Sequence, residues 1–257
     1  MNKNRLLFNA TLITLLSCSQ LQAEATKKGR FGLGVSTSNR FSVYQGADNE
    51  FEIHPHLQYR GERFNILGDT MGYNFSNSGN LRFEVIGKAI NRGYDAKHLT
   101  ELKGMADRDP GFDAGGRAAL QTDMGMFSID ATTDISSTHK GQTVDIRFGP
   151  DIYKQHWDGQ REVSLNMLAG AKWESDKVVD YYYGVRNNET NSERTAYKGQ
   201  SALTPYVGLD AQLRLSKNIT VDGQVIYQKL PGEIANSPIV EDDQMVNAGV
   251  GLTYWFD

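Results

Sequence analysis

Cysteine is almost absent from this sequence of 257 residues, in which Cys18 is the single one. A lone thiol forms no disulfide within the chain, so stability has to come from a large core or a closed hydrogen-bonded architecture. Apolar runs of roughly 20 residues, which a membrane-spanning helix needs, are also missing. No basic excess exists either, because 27 lysines and arginines stand against 31 acidic residues. That balance, without a basic cluster or a Gly-rich phosphate loop, argues against a nucleic-acid partner.

The N-terminus has the three parts of an export signal. A short positive region is followed by the apolar stretch Leu6 to Leu16 and by a small-residue cleavage site that ends at Ala23. This pattern predicts a signal peptide at residues 1–23 and a single mature domain at residues 24–257. One alternative is lipidation at Cys18, because the sequence Leu-Leu-Ser-Cys resembles a lipobox. Cleavage after Ala23 is the preferred interpretation, since a transmembrane β-barrel, the fold that the C-terminal residues predict, needs no lipid anchor.

The last residues predict the fold class. Val250, Leu252, Tyr254 and Phe256 alternate with other residues at period two, which places them on one face of a strand. Mean hydropathy is only −0.50 although the chain has 26 glycines, 12 tyrosines and 11 phenylalanines. Alternation of lipid-facing and lumen-facing residues produces such a hydrophilic average. We therefore predict an all-β protein, a transmembrane antiparallel β-barrel in the outer membrane of a Gram-negative bacterium.

The number of strands depends on one segment. Bacterial single-chain barrels have an even number of strands with both termini in the periplasm, whereas eleven segments are β-like. The β-rich segment Val178–Val185 is the expected twelfth strand, and a ten-stranded barrel is the alternative if it lies in a loop and two N-terminal segments merge. A secreted β-sandwich is the soluble alternative, but it does not explain the aromatic final strand. The eleven segments are 30–41, 51–59, 64–75, 81–90, 115–124, 126–137, 144–153, 163–173, 203–215, 219–230 and 245–256.

Three irregular segments carry the candidate functional residues, because loops on a rigid scaffold often bind partners. They are residues 91–112, 186–200 and 231–244. A twelve-strand count that includes Val178–Val185 places residues 91–112 on the periplasmic side. A ten-strand count places the same loop outside the cell.

Short motifs in a fixed order run along nearly the whole mature chain. They include Tyr59-Arg-Gly61, the loop at residues 102–105, Asp134-Ile-Ser136 and Lys140-Gly141. The motif positions singled out are Tyr44, Gly46, Ala47, Asp48, Pro55, Gly184, Val185, Ser237 and Pro238. In these motifs the chain resembles the MipA/OmpV family of outer-membrane proteins.

The resemblance implies a scaffold in the outer membrane. The family's namesake bridges a lytic transglycosylase and a penicillin-binding protein, which couples peptidoglycan cleavage to synthesis. The implied partners are therefore outer-membrane lipid, lipopolysaccharide and these two murein enzymes. Other members are described as porin-like or as adhesins, so a narrow porin-like channel or a surface adhesin is the alternative function.

Residues in two short segments are the candidate partner contacts. Tyrosine is enriched in binding hot spots, but a membrane-interface belt of aromatics explains the tyrosines equally well. The candidate contact residues are Leu102, Lys103, Gly104, Met105, Tyr181, Tyr182 and Tyr183.

Catalysis, cofactors and metals are not predicted. Ser137 lies near His139, but neither a third catalytic residue nor a nucleophile elbow accompanies them. His54 and His56 share a strand face, and two ligands alone do not make a metal site. In the lumen, charged residues form either a plug of ion pairs or a conducting path. These residues are Arg82, Glu84, Asp145 and Arg147.

Overall fold

The computed structural model describes residues 29–40, 42–47 and 50–256, and the predicted signal peptide at residues 1–23 lies outside them. One antiparallel sheet closes on itself, because strand β11, at one end of the strand order, also pairs with β10 near the other end. The prediction of an all-β closed barrel is confirmed. None of the helices in the described residues is long and apolar enough to cross a membrane.

The described residues contain thirteen strand segments, two α-helices and a short 3-10 helix at Asn187–Glu189. The strands are β1 Arg30–Arg40, β2 Glu50–Arg60, β3 Phe64–Leu67, β4 Thr70–Ser78, β5 Leu81–Ile90, β6 Gly111–Thr122, β7 Gly125–Asp134, β8 Gln142–Gly149, β9 Asp151–His156, β10 Glu162–Glu174, β11 Ala202–Arg214, β12 Ile219–Lys229 and β13 Gln244–Phe256. The helices are α1 Asp176–Tyr183 and α2 Gly232–Ala235.

The wall of the barrel has twelve strands. Both β8 and β9 pair with β10, and Pro150 separates them, so they form one interrupted wall strand. Proline has no N–H to donate to a neighbouring strand, which explains the interruption. The predicted number of strands is therefore confirmed.

The twelfth strand, however, is not the segment Val178–Val185 that the sequence predicted. Segment 64–75, predicted as one strand, is the hairpin β3–β4, which turns at Gly68 with a φ of +61°. This hairpin is short: β2 pairs with β3 only from Gln58 to Arg60. Towards Glu50 the described residues provide no strand neighbour for β2 on that side. Pro55 lies on this edge, where a residue without an N–H is tolerated.

The segment Val178–Val185, predicted as a strand, contains helix α1 instead. Its buried residues are Val178, Val179, Tyr182 and Tyr183, a spacing of one, three and one that fits a single face of a helix. The β-branched and aromatic composition suggested a strand, but the burial of this face against the connecting loops determines the structure.

Alternation along each strand separates an apolar outer surface from a polar interior. In β13, Val250, Leu252, Tyr254 and Phe256 are exposed at 44–54%, whereas Thr253 and Trp255 are at most 2% exposed. The predicted outward face of this strand is confirmed. Trp255 points inward, where its Nε1 donates to Thr220 Oγ1 at 3.0 Å.

Arginine in the middle of this outer face should be costly, because the face is apolar and meets lipid. Val250 lies at the centre of β13, and Val246 lies near one end of the strand. We expect Val250→Arg to destabilise the barrel by about 2–4 kcal/mol and Val246→Arg by about 0–1 kcal/mol, as for lipid-facing arginines at the midplane and near an interface. Urea unfolding in lipid vesicles measures both. Equal costs at the two depths would contradict a lipid-facing surface.

The two ends of the barrel differ in the length of their connections. Tight turns at 61–63, 79–80, 123–124, 157–161 and 215–218 form the short-turn end, where Arg30 begins β1 and Phe256 ends β13. Long connections gather at the opposite end, the long-loop end. They comprise residues 41–49, 91–110, 135–141, 175–201 and 230–243.

Candidate functional site: the cap, the lumen and the short-turn rim

Long connections at the long-loop end pack into a folded unit, which we call the cap. It is built from the described residues of 41–49, 91–110, 135–141, 175–201 and 230–243. Its core is apolar and continuous across all of these connections except 135–141. The buried core residues are Val43, Tyr44, Tyr94, Ala96, Leu102, Met105, Val178, Val179, Tyr182, Tyr183, Val185, Ala202, Leu230, Ile234, Ile239 and Val240.

A buried ion pair joins two of these connections. Arg108 Nη2 lies 3.0 Å from Glu189 Oε2, and the side chains are 1% and 2% exposed. Arg108 Nε also donates to the carbonyl of Tyr181 at 2.6 Å. Glu189 accepts further N–H bonds from Ala106 and Arg186. Although burial pushes the pKa of Glu189 upward, the Arg108 hydrogen bond and these two amides outweigh it and lower the pKa to about 2.

A second arginine ties the same two connections through backbone oxygens. Arg194 donates to the carbonyls of Glu101 at 2.6 Å, Lys103 at 3.2 Å and Glu189 at 3.0 Å. A third arginine connects the cap to the wall. Arg92 Nη2 lies 2.6 Å from Glu174 Oε1 on β10, and its guanidinium lies 4.2 Å from the Tyr182 ring centroid. The cap is therefore fixed both internally and to the barrel.

Several motif positions hold the cap together. Tyr44 forms a β-bridge with Val240, and its Oη donates to the carbonyl of Tyr182 at 3.2 Å. Ser237 Oγ donates to the carbonyl of Tyr183 at 2.6 Å, and Val185 bridges to Tyr197. These contacts give the motif residues Tyr44, Val185 and Ser237 a structural role. Asp48 lies outside the residues that the structure describes.

Glycines in the motif meet backbone requirements. Gly46 has a φ of +69°, a conformation that favours glycine. At Gly184 a Cβ would lie 2.3 Å from the carbonyl oxygen of Asp180, so a side chain has no room there. The neighbouring motif residues Ala47 and Pro238 are partly exposed.

Most of the predicted partner contacts lie inside the cap. Leu102 and Tyr182 are fully buried, and Met105 and Tyr183 are at most 8% exposed. They have no surface to offer a partner while the cap is folded. Only Lys103 and Gly104 are exposed, and Tyr181 is partly buried. The prediction that their loop lies at the same end as the start of β1 and the end of β13 is wrong, because residues 175–201 contain a helix rather than the twelfth strand.

The barrel lumen contains a network of buried ion pairs. Arg117 contacts Asp130 at 2.6 Å and Glu84 at 3.5 Å, and Lys88 contacts Asp130 at 2.7 Å. Arg147 pairs with Asp145 at 2.9 Å. The four predicted lumen charges do form ion pairs: Arg82 with Glu84 and Arg147 with Asp145. Sequence reasoning missed Arg117 and Asp130, although both follow the inward alternation of β6 and β7.

One group of potential metal ligands occurs in the described residues: Asp113, Asp134 and His139. His139 Nε2 lies 2.9 Å from Asp113 Oδ1, and its Nδ1 accepts the N–H of Gly141. Asp134 accepts N–H bonds from Ser136 and Lys140 at 2.7 Å each. Hydrogen bonds within the turn therefore use these ligand atoms.

The two histidines of β2 have different partners. His54 lies 3.0 Å from Glu52 Oε2, and His56 Nε2 lies 2.8 Å from Thr253 Oγ1. They do not converge on a common point.

At the short-turn rim the hairpin β9–β10 presents an unusual strand edge. All residues of β9 are exposed, and within the described part of the chain β9 pairs with β10 alone. The apolar side chains of Ile152, Tyr153 and Trp157 are 51%, 49% and 52% exposed. An open edge with apolar side chains is a template for strand addition.

An apolar outer surface, a polar lumen, tight turns at one end and long loops at the other define a β-barrel protein of the bacterial outer membrane. Sequence comparison supplies the family. The family model described as MltA-interacting protein MipA matches residues 31–256, and the chain belongs to this family.

Relatives that match this chain over most of their length include outer-membrane proteins. The Escherichia coli K12 putative outer membrane protein YiaT is 21% identical, and the match covers 98% of this chain and 100% of that protein. Outer membrane protein OmpV of Vibrio cholerae is 24% identical, with 90% and 88% covered. The Escherichia coli MltA-interacting protein is 25% identical, with 90% and 92% covered. Their names describe outer-membrane or interacting proteins rather than enzymes.

In outer-membrane barrels the tight turns lie in the periplasm and the long loops lie outside the cell. The cap is accordingly extracellular, and the β9–β10 hairpin reaches the periplasm.

Proposed function

We propose that this protein is a closed, non-catalytic outer-membrane scaffold that docks a murein enzyme at its periplasmic rim. The name of the MltA-interacting relative supports an interaction of this kind, with a lytic transglycosylase as the expected partner. The family resemblance adds a penicillin-binding protein as a second expected partner. The observation that carries the proposal is the β9 edge. An open strand edge does not occur in the hydrocarbon layer, so this one lies in water or against a partner.

The β9–β10 hairpin has the features of a strand-addition site. Residues Ile152–His156 offer a backbone edge of about 16 Å at 3.3 Å per residue. Tyr153 and Trp157 supply the aromatic anchors that dominate binding energy in many interfaces. An extended segment of the murein enzyme would pair with the edge and place alternate side chains beside these rings.

The lumen and the cap support a scaffold more than an open channel. Ion pairs link the lumen-facing side chains of the neighbouring strands β5, β6, β7 and β8, and the cap covers the long-loop end. A surface-contact function is the second candidate, because the packed core of the cap holds its extracellular face in a fixed shape.

Replacing both Tyr153 and Trp157 by alanine should abolish docking. Each hot-spot aromatic contributes about 2 kcal/mol or more, so we expect recovery of the murein enzyme to fall at least about 30-fold. The measurement is a cross-linked pull-down from intact cells with quantitative mass spectrometry. Met124→Ala is the matched control, because Met124 is 68% exposed in a neighbouring turn of the same rim.

Two results would count against the proposal. Unchanged recovery in the double variant would exclude the β9 edge as the docking site. The absence of any murein enzyme in the wild-type sample, with cap-directed surface ligands recovered instead, would favour the surface-contact function.

A further inference from the structure

The lumen wall opposite the ion-pair network holds a row of buried oxygen acceptors. Asn166 on β10 lies opposite Asp210 on β11, and Asp210 lies opposite Gln224 on β12. We call these three residues the acceptor row. They are 1%, 2% and 3% exposed. Directly opposed residues have Cβ atoms about 4.5–5.5 Å apart, so Asp210 lies beside both Asn166 and Gln224 on the lumen face of the wall.

Each residue of the acceptor row has an oxygen with no hydrogen-bond donor in the described part of the chain. These atoms are Asn166 Oδ1, Asp210 Oδ2 and Gln224 Oε1. Asn166 Nδ2 donates to the other oxygen of Asp210 at 3.3 Å, which keeps the pair in register. A buried acceptor without a donor is costly, and such atoms usually have a ligand or water.

The charge of the acceptor row is also uncompensated. No lysine, arginine or histidine among the described residues forms an ion pair with Asp210, whereas Asp130 and Asp145 across the lumen are both paired with arginine. A second carboxylate, Asp222, lies two residues from Gln224 and accepts from Gln212 Nε2 at 2.7 Å. Burying a carboxylate such as Asp210 without a cation is unfavourable.

Glycines on β13 lie beside the row. Gln224 lies opposite Gly249, and Asp222 lies opposite Gly251. Both glycines are buried, so at these two positions β13 adds no side chain next to the acceptor oxygens.

The donor set selects the chemistry of the ligand. It consists of carboxylate and amide oxygens without nitrogen or sulfur, which is the preference of a hard cation. Calcium accepts Asp carboxylates, Asn and Gln carbonyl oxygens and water in flexible geometry. We propose that the acceptor row binds a calcium ion through Asp210 Oδ2, Asn166 Oδ1 and Gln224 Oε1, with water completing the coordination.

Calcium titration of the EGTA-treated, full-length protein in detergent micelles tests the proposal. We expect about one ion per chain by isothermal titration calorimetry and a thermal midpoint that rises with calcium concentration. Asp210→Asn and Gln224→Leu should each weaken binding at least about tenfold, because the first removes the negative charge of a ligand and the second removes a ligand oxygen. Asp158→Asn is the control, since Asp158 is an exposed turn residue that should leave binding unchanged.

Folding of each variant is checked by the shift in gel mobility on heating and by circular dichroism. If Asp210→Asn fails to fold, Gln224→Leu and the wild-type stoichiometry still decide. Binding of spermidine without binding of calcium would overturn the choice of ion. Absence of calcium binding, or equal binding by wild type and both variants, would overturn the site.

Discussion

Replacing Arg108 by methionine is expected to unfold the cap while the barrel stays closed. The substitution leaves Glu189 buried without its guanidinium, and breaking a buried pair in this way costs about 3–5 kcal/mol. Both side chains are almost completely buried, so solvent screens the interaction little. Limited proteolysis on intact cells should then cleave residues 91–110 and 175–201, which resist cleavage in the wild type, and heat-dependent gel mobility should report an intact barrel.

Arg186→Met is the matched control for this variant. Arg186 approaches the same Glu189 at 3.7 Å, but its side chain is 56% exposed, so its removal should cost less than about 1 kcal/mol. Combining Arg108→Met with Glu189→Gln should restore part of the protection, because the buried charge is removed and the remaining side-chain oxygen still accepts from one of the two amides, that of Ala106 or that of Arg186. Equal protease resistance in wild type and Arg108→Met would contradict the role of the pair.

Acid offers an independent measurement of the same ion pair. The folded pKa of Glu189 is depressed to about 2 from an ordinary value of 4.5. A depressed carboxyl pKa contributes stability that is fully present above the unfolded value and is lost as pH falls through the folded one. Cap protection in the wild type should therefore stay constant above about pH 5 and decline between about pH 4.5 and 2. In Glu189→Gln this decline should be smaller.

The second large effect is expected in the lumen. Arg117→Met removes the cation shared by Asp130 and Glu84, whose side chains are 2% and 3% exposed. We expect a loss of about 3–5 kcal/mol in the free energy of unfolding, because two buried carboxylates lose their common partner. Urea unfolding in lipid vesicles, followed by tryptophan fluorescence, measures the loss.

Arg161→Met provides the control for that measurement. Arg161 pairs with Asp158 in an exposed turn, and a surface pair of this kind contributes about 0–1 kcal/mol. Single-channel recording on the wild type adds a functional reading: discrete conductance steps would contradict a lumen closed by these pairs. A cost below 1 kcal/mol for Arg117→Met would show that the network does not stabilise the barrel.

Period-two alternation made the barrel predictable from the sequence. In strands such as β13 the outward residues are mostly apolar and the inward ones, Trp255 excepted, are mostly small or polar, so the pattern determines both the element and its faces. Most strand positions could be derived in this way.

Two elements could not be derived because local composition was ambiguous. Segment 64–75 reads as one strand, and only the left-handed conformation of Gly68 divides it. Val178–Val185 has a strand-like composition, and the surrounding loops decide in favour of helix α1. Long-range packing determined both outcomes, and a short stretch of sequence carries no information about such packing.

The cap was beyond sequence reasoning for a related reason. Its core collects residues from four separated connections, and its central pair joins Arg108 to Glu189 across 81 positions. Neither residue has a local pattern that marks it as buried. The acceptor row was equally hidden, because the register of three strands brings Asn166, Asp210 and Gln224 together.

Closure of the sheet has a consequence for the biogenesis of the protein. The seam between β1 and β13 joins residues such as Thr37 and Val250, which are 213 positions apart. Pairing of such distant segments is slow, because the entropy of closing the intervening chain precedes any gain from contacts. The edge of β1 that pairs with β13 must therefore stay unpaired until β13 has been synthesised and exported. During that interval its edge is open to aggregation, and periplasmic chaperones have to protect it.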